Sequence, residues 1–381
     1  MTAPPLSPPA ARALFEESIC DLPTHEYLRN TKLVAGLDAV IRPRAAALEA
    51  ELRAYLQEGA PSPGPGKALR IVLSNIALDN YAGSELWTAD VAKYLHASGV
   101  PVIVHTPQPG ALAEDLRRLG IMVTASVEEV AAFAPTLLQV NHFAAAAPLL
   151  ARLAGQVPVL NMVHGLLPRP GMPGDGSVDH YGAVSIHARA KIHMVTGMPW
   201  EGITQLPNFV DDRRFTAIGA PGGVRRAALF SSRTQVECRE PLRAVLAELD
   251  ITLDHIGYNG GTPTATPERV LPQYDIVFAV GRSAIEALAS GTHVILWDYG
   301  ITGPAVTEEN FWSCVATNFD LASNTLPWRF ILDAGAQNWV RSQVQQISAA
   351  SRQRTRELTR AYLPLSAAGP RLLAFYGEMG A

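Results

Sequence analysis

From residue 69 onward the chain alternates short apolar runs with amphipathic stretches, and it does so twice. Leu69–Asn75, Val100–Thr106, Ile121–Thr124, Leu137–Asn141 and Val157–Val163 are nearly continuous apolar runs that read as strands. Between them, a stretch with Trp87, Val91, Tyr94 and Leu95 on one face reads as helix, as do 111–119, 127–133 and 143–154. The pattern resumes with strands at Ala227–Ser232, Ile251–Gly257, Tyr274–Val280 and His293–Trp297. Helices are expected at 240–249, 267–273 and 283–290, and in a tail from about 337 that breaks near Pro364 and Pro370. Apolar runs without period-two alternation, spaced by helices, predict parallel sheets covered on both faces. Ligands of such sheets bind outside the carboxyl ends of the strands.

The expected organisation has four parts. Residues 1–66 form a helical extension and linker, 67–210 a first βα domain, 211–345 a second, and 346–381 C-terminal helices that pack back. The fold class is α/β, with two Rossmann-like domains facing across a cleft. Leu37, Ile41, Leu48, Leu52, Tyr55 and Leu56 fall at helical spacing in the extension, with Pro43 interrupting or restarting the helix. Gly59–Gly66 is rich in Pro and Gly and reads as a linker. The extension is a helical cap or an arm for a homodimer through residues 1–58. Its six basic and eight acidic side chains argue against a membrane-surface helix.

Composition excludes several classes. Hydrophobic residues make up 48% and charged residues 17%, enough for a large core. The net charge of −4 comes without a basic stripe, so nucleic acid is not an expected partner. Cys20, Cys238 and Cys314 lack metal or disulfide spacing, which points to a reducing compartment and no metal site. A cytoplasmic protein is expected, with a peripheral place at the inner membrane face left open.

The chemistry lies in the turns. In Ala279–Gly291 a strand ends at Gly281-Arg282-Ser283 and a helix begins. Ser283 is a candidate N-cap with Glu286 as its capping-box partner, and first-turn amides there favour an anion. Glu286 either closes that box or accepts hydrogen bonds from sugar hydroxyls. Arg282 offers a planar donor fork suited to phosphate, and Arg233, after another strand, has the same potential. Gly83, in the turn Tyr81–Glu85, lets backbone approach a ligand. His164 follows a buried strand and precedes Gly165; it is either a hydrogen-bonded loop histidine or a group that orients a hydroxyl or moves a proton. Asn141 and His142 end another strand in the same way. His187 and His193 are read as structural.

In this order the segments resemble the GT-B glycosyltransferases, closest to the family-4 type. Ala82-Gly-Ser-Glu85 is similar to that family's Gly-Gly-x-Glu turn. Leu137–Asn141 through Val163–Pro168 resembles the part that delivers its cleft histidine. Leu206-Pro-Asn-Phe-Val-Asp211 with Phe215 resembles the Pro-Asn-Gly-Val-Asp…Phe signature, Leu229–Arg233 the strand ending in Gly-Arg, and Asp275–Gly291 the donor strand and Glu-Ala-Met-Ala-x-Gly helix. The resemblance implies a retaining, metal-independent transfer of a hexosyl or related group from a nucleotide-sugar donor, with no bound cofactor. The acceptor would be a glycan, lipid-linked or small-molecule hydroxyl. It implies His164 and Glu85 as catalytic residues and Gly83, Arg233, Arg239, Gly281, Arg282, Ser283 and Glu286 on the donor. Asn141 and His142 would lie on the acceptor side. Three positions depart from the family: Phe278 stands where a first glutamate is usual, Val280–Ser283 replaces the Glu-Gly-Phe-Gly loop, and Cys238 replaces a lysine, with Arg239 beside it. A sugar-nucleotide 2-epimerase and a catalytically degenerate GT-B subunit are the alternatives.

Overall fold

The computed structural model describes residues 7–19, 31–59, 69–79, 81, 83–153, 155–166, 172–174, 176–218 and 224–379. They fall into two compact units: one from 7–19, 58–206 and 365–379, the other from 31–57 and 207–364. The chain leaves the first unit after Leu206 and returns to it at Leu365.

The first unit is built on seven strands: β1 (Ile71–Ser74), β2 (Val102–His105), β3 (Met122–Thr124), β4 (Leu137–Val140), β5 (Val159–Val163), β6 (His180–Ala183) and β7 (Ile203–Gln205). All pair in parallel in the order β3-β2-β1-β4-β5-β6-β7. This is the doubly wound order, and its switch point lies between β1 and β4. Val72, Ile103, Leu138 and Val159 pack with Val130, Leu149 and Leu153 from the helices Val127–Ala132 and Ala147–Leu153. Val163, Tyr181 and Ile203 pack with Ala188 and Ile192 of the helix Ile186–Thr196. That helix starts where the Ser185 hydroxyl accepts the Ala188 N–H, and stops at Gly197, whose φ of +75° suits glycine.

The second unit carries β8 (Arg226–Phe230), β9 (Thr252–Ile256), β10 (Ile276–Ala279), β11 (His293–Asp298), β12 (Ile301–Ala305) and β13 (Arg329–Phe330). The order is β9-β8-β10-β11-β12-β13; the first four run parallel and the last two pairings are antiparallel. The switch point lies between β8 and β10.

Several expectations change. β6, β7, β12 and β13 were not anticipated, because His180-Tyr-Gly-Ala183 and Ile301-Thr-Gly-Pro-Ala305 are too short and too rich in Gly and Pro to read as strands. The last helix, Leu365–Met379, does not break at Pro370. The ring costs one early-turn hydrogen bond, and packing outweighs it: a Cβ on neighbouring Gly369 would lie 2.3 Å from the Tyr94 ring. Pro43 sits in a turn between the helices Thr31–Ile41 and Ala45–Gln57. The extension is not one block. The helix Pro8–Ile19 packs on the helix Ile186–Thr196 of the first unit, and Ala45–Gln57 packs on Phe311–Ala316 of the second. Most of the expected linker, Ala82, Pro168 and Cys20 lie outside the described residues.

Candidate functional site

At the first unit's switch point, the carboxyl ends of β1, β4 and β5 deliver Asn75, Asn141, His142 and His164 to one hydrogen-bonded network. Thr88 stands at its centre, on the helix Gly83–Ala97. Its hydroxyl donates to the Ser84 carbonyl at 2.8 Å and accepts the side-chain amides of Asn75 and Asn141, each at 2.8 Å. Asn141 Oδ1 then accepts Gln139 Nε2–H and His164 Nε2–H, each at 3.0 Å. Gln139 Oε1 accepts the Tyr376 hydroxyl at 2.6 Å.

This network sets the His164 tautomer and biases that of His142. Asn75 donates its amide to the Ser84 carbonyl at 3.1 Å, so its Oδ1 is the acceptor facing His142 Nδ1 at 2.8 Å. The shorter contact, to the Asn75 oxygen, favours the His142 proton on Nδ1; the Ile76 N–H faces the same nitrogen at 3.3 Å and pairs with it in the other tautomer. His164 carries its proton on Nε2 and presents the Nδ1 lone pair. Burial pulls His142 down to about 4; burial and then His142 pull His164 to about 3. Both rings are neutral at physiological pH and serve as oriented acceptors. The Trp87 ring, edge-on at 5.2 Å, fixes the His164 plane.

Glu85 lies one turn before Thr88 and is held by the Ser84 hydroxyl, which donates to Oε2 at 2.7 Å. Burial raises its carboxyl, the Ser84 bond and its own backbone oppose this, and Asp79 adds to it. A Cβ at Gly83 would meet nothing within 4 Å, so packing does not require glycine there.

In the second unit the loop after β8 is folded on Ser231, whose hydroxyl accepts the N–H groups of Arg233 and Thr234 at 3.2 and 3.3 Å. Arg233 is 42% exposed, enough to meet a ligand, yet it donates to buried Asp298 at 3.1 Å and lies 4.8 Å from the Tyr299 ring. Asp320 is also in its field: burial raises that carboxyl, and the Leu321 N–H and Arg233 oppose the shift. Arg239 donates to Glu240 at 2.9 Å. Arg282 donates to Glu286 at 2.9 Å, both nearly fully buried, with Phe209 5.9 Å from the guanidinium. Each arginine proposed from the sequence for the donor thus has a carboxylate of its own.

The capping box does not form. The helix begins at Gly281, two residues before the expected start, with Val280 before it and no side-chain cap. Gly281 has φ +59°, and its N–H reaches the Phe319 carbonyl at 3.3 Å. Ser283 is half-buried in the first turn, and Glu286 is turned to Arg282.

Asn75, Thr88, Gln139, Tyr376, Asp298 and Tyr299 were missed from the sequence. Asn75 carried the same signal as Asn141, a polar residue ending an apolar strand. Tyr376 carried none, being 237 residues from Gln139. Among the described residues, no group of three or more His, Cys, Asp or Glu is placed to hold a metal ion. No helix among them is long and apolar enough to cross a membrane.

No protein-family model matches the chain, and no curated protein matches its sequence. Solved structures do match. A glycosyltransferase from Rickettsia africae superposes with a TM-score of 0.58 at 15% identity, covering 82% of this chain and 98% of that one. HepE of Anabaena, solved with UDP and glucose, gives 0.59 at 14% identity over 81% of this chain and 100% of its own. Its UDP-glucose complex gives 0.58 at 14%, over 81% and 98%. With two doubly wound units and this likeness over four fifths of its length, the chain has the GT-B fold.

Proposed function

We propose that the chain is a glycosyltransferase that moves a sugar from a nucleotide-sugar donor to an acceptor hydroxyl. The carrying observation is the network that holds His164 neutral, protonated on Nε2, with Nδ1 presented at the first unit's switch point. An oriented neutral imidazole accepts a hydrogen bond at Nδ1 and so orients a hydroxyl of the sugar acceptor or of the reacting sugar. In the second unit, Arg233 stands half-exposed at the corresponding position, where a leaving diphosphate needs positive charge. Asp298 aims it. Gly281 and Ser283, at the start of the neighbouring helix, complete the donor side. HepE was solved with UDP-glucose, and the shared fold supports a donor of that class. Retention, independence from a metal and a hexosyl donor follow the family-4 resemblance and belong to the proposal. So do Glu85 as a second catalytic group and Arg239, Arg282 and Glu286 on the donor.

The test is a thermal-shift panel with UDP, GDP, TDP, CMP, ADP and their sugar conjugates. A ligand at 100 times its Kd adds about 2.7 kcal/mol to stability, which raises Tm visibly. A selective shift, abolished in Arg233→Ala, is the expected result. With the donor known, His164→Ala should then lower turnover by about 10²–10⁴ while donor binding persists. A chain that no nucleotide shifts is not a transferase of this kind.

A further inference from the structure

The connection that carries His164 out of β5 is held at both of its described ends by two helices, Pro8–Ile19 and Ile186–Thr196. β5 keeps its pairing as far as Val163, whose carbonyl accepts the Val184 N–H at 3.2 Å. Just past His164, the Leu166 carbonyl accepts Lys191 Nζ–H at 3.2 Å, and the Gly165 carbonyl lies 3.5 Å from the same nitrogen. The backbone is therefore fixed on either side of His164, while Asn141 and the Trp87 ring fix its side chain.

Lys191 lies on the helix Ile186–Thr196 and is wholly buried, which is rare for a charged side chain. Burial, and after it the Arg12 charge, pulls its ammonium down to about 7. Protonated or neutral, Nζ keeps N–H groups for the carbonyls. A methionine would fill the same space without taking an amine out of water, so packing alone does not require lysine.

The N-terminal helix covers this amine. Its Phe15 ring, itself fully buried, lies 5.6 Å from Nζ. One turn earlier on the same face, Arg12 donates to the Pro173 carbonyl at 3.1 Å. Gly174 is held as well: its N–H donates to Asn161 Oδ1 at 3.0 Å, and its carbonyl accepts the Tyr181 hydroxyl at 2.6 Å. The two helices run antiparallel, since a Cβ on Gly197 would lie 3.4 Å from Pro8 while Phe15 faces Lys191. One face of the N-terminal helix thus reaches both ends of the connection that starts at His164.

We propose that Lys191, covered by the helix Pro8–Ile19, is a positioning residue that holds the Gly165–Leu166 backbone and so sets where His164 presents Nδ1. This deepens the transferase reading, and its effect on turnover rests on that reading. The N-terminal helix then belongs to the site as well as to the core.

Lys191→Met keeps the volume and removes the donor. Nitrogen-15 spectra of the histidine-labelled chain read the result, with the His164 signals identified by their loss in His164→Gln. In Lys191→Met the His164 signals should move, while those of His255 and His293, in the second unit, stay in place and report an intact fold. On the donor identified by thermal shift, kcat should fall about tenfold to hundredfold, as for a reacting group misplaced by about 1 Å, with donor Kd unchanged. Lys191→Arg keeps a charged donor but lengthens its reach; it should also move the His164 signals, and it carries the test if the methionine variant does not fold. Unmoved His164 signals in a folded variant overturn the proposal and leave the transferase reading standing. Moved signals with unchanged kcat overturn it as well, because turnover would then not depend on where His164 sits. A wild-type chain without turnover on any nucleotide sugar removes the transferase reading, and the spectra still decide whether Lys191 holds His164.

Discussion

Arg282 and Glu286 form an ion pair at 2.9 Å across one helical turn, with side chains only 5% and 3% exposed. A pair this deep stands or falls together. Breaking one by removing a partner leaves an uncompensated buried charge, at a cost of about 3–5 kcal/mol. Glu286→Gln should therefore lower the urea midpoint strongly before any question of donor binding arises. Arg282→Met with Glu286→Leu should recover much of the loss, because two apolar residues of similar volume leave no charge behind. A Glu286→Gln chain as stable as wild type would show that the pair contributes nothing.

The same pair shows where reading the sequence stops. Glu286 three residues after Ser283 satisfies the spacing of a capping box, and Glu286 four after Arg282 satisfies the spacing of a helical ion pair; spacing alone does not choose. The left-handed Gly281 starts the helix early and decides for the pair. Central strands were legible because burial on both faces demands apolar runs. Strands such as β6 and β7 were not, since they are only four and three residues long and are buried by tertiary packing on the helix Ile186–Thr196, which their own residues do not signal. At the first switch point Asn141, His142 and His164 were legible as polar ends of apolar strands. Thr88 and Tyr376, which tie them together, belong to helices whose contacts are made by tertiary packing.

The two switch-point histidines predict an acid weakness. An unfolded histidine titrates near 6.5, whereas His142 and His164 fold with values near 4 and 3. The folded state binds fewer protons, so stability is constant above about pH 6.5 and falls as pH drops toward the folded values. Two groups at about 1.4 kcal/mol per pH unit give an upper limit of about 5 kcal/mol by pH ~4.5, reduced by the solvent that His164 still meets. Urea midpoints at about pH 7 and about pH 4.5 measure the drop. It should shrink in a His142→Gln, His164→Gln chain; an unchanged drop would assign the acid loss to carboxylates elsewhere.

Asn141 predicts a spectroscopic result. Its Oδ1 is the acceptor that keeps the His164 proton on Nε2. Nitrogen-15 spectra of the histidine-labelled protein should show His164 as the Nε2–H tautomer. In Asn141→Leu that preference should relax toward a mixture. The variant also strands the Gln139 amide, at about 1–3 kcal/mol. A His164 spectrum identical in both chains would mean that another group fixes the ring.

The N-terminal helices predict what happens when they are removed. Phe15 lies against Lys191, and Arg12 donates to the Pro173 carbonyl at 3.1 Å, both in the first unit. In the second, Asn324 Nδ2 donates to Asp38 at 2.7 Å, Ser313 to Glu49 at 2.7 Å, and Arg53 lies 5.4 Å from the Trp312 ring. Phe15, Leu33, Leu37, Ile41, Leu48 and Leu52 are buried within the chain itself, which covers the apolar side chains on which self-association through residues 1–58 would rest. Each such side chain is worth about 1.5–3 kcal/mol on burial, so their sum reaches about 10 kcal/mol or more. Total stability of a domain is only about 5–15 kcal/mol. A chain starting at Lys67 should therefore lose its cooperative melt and scatter light as aggregate, with both units affected because the first loses the helix Pro8–Ile19 and the second the helices Thr31–Ile41 and Ala45–Gln57. A folded, monodisperse chain with an unchanged melting temperature would show that these helices are dispensable covers.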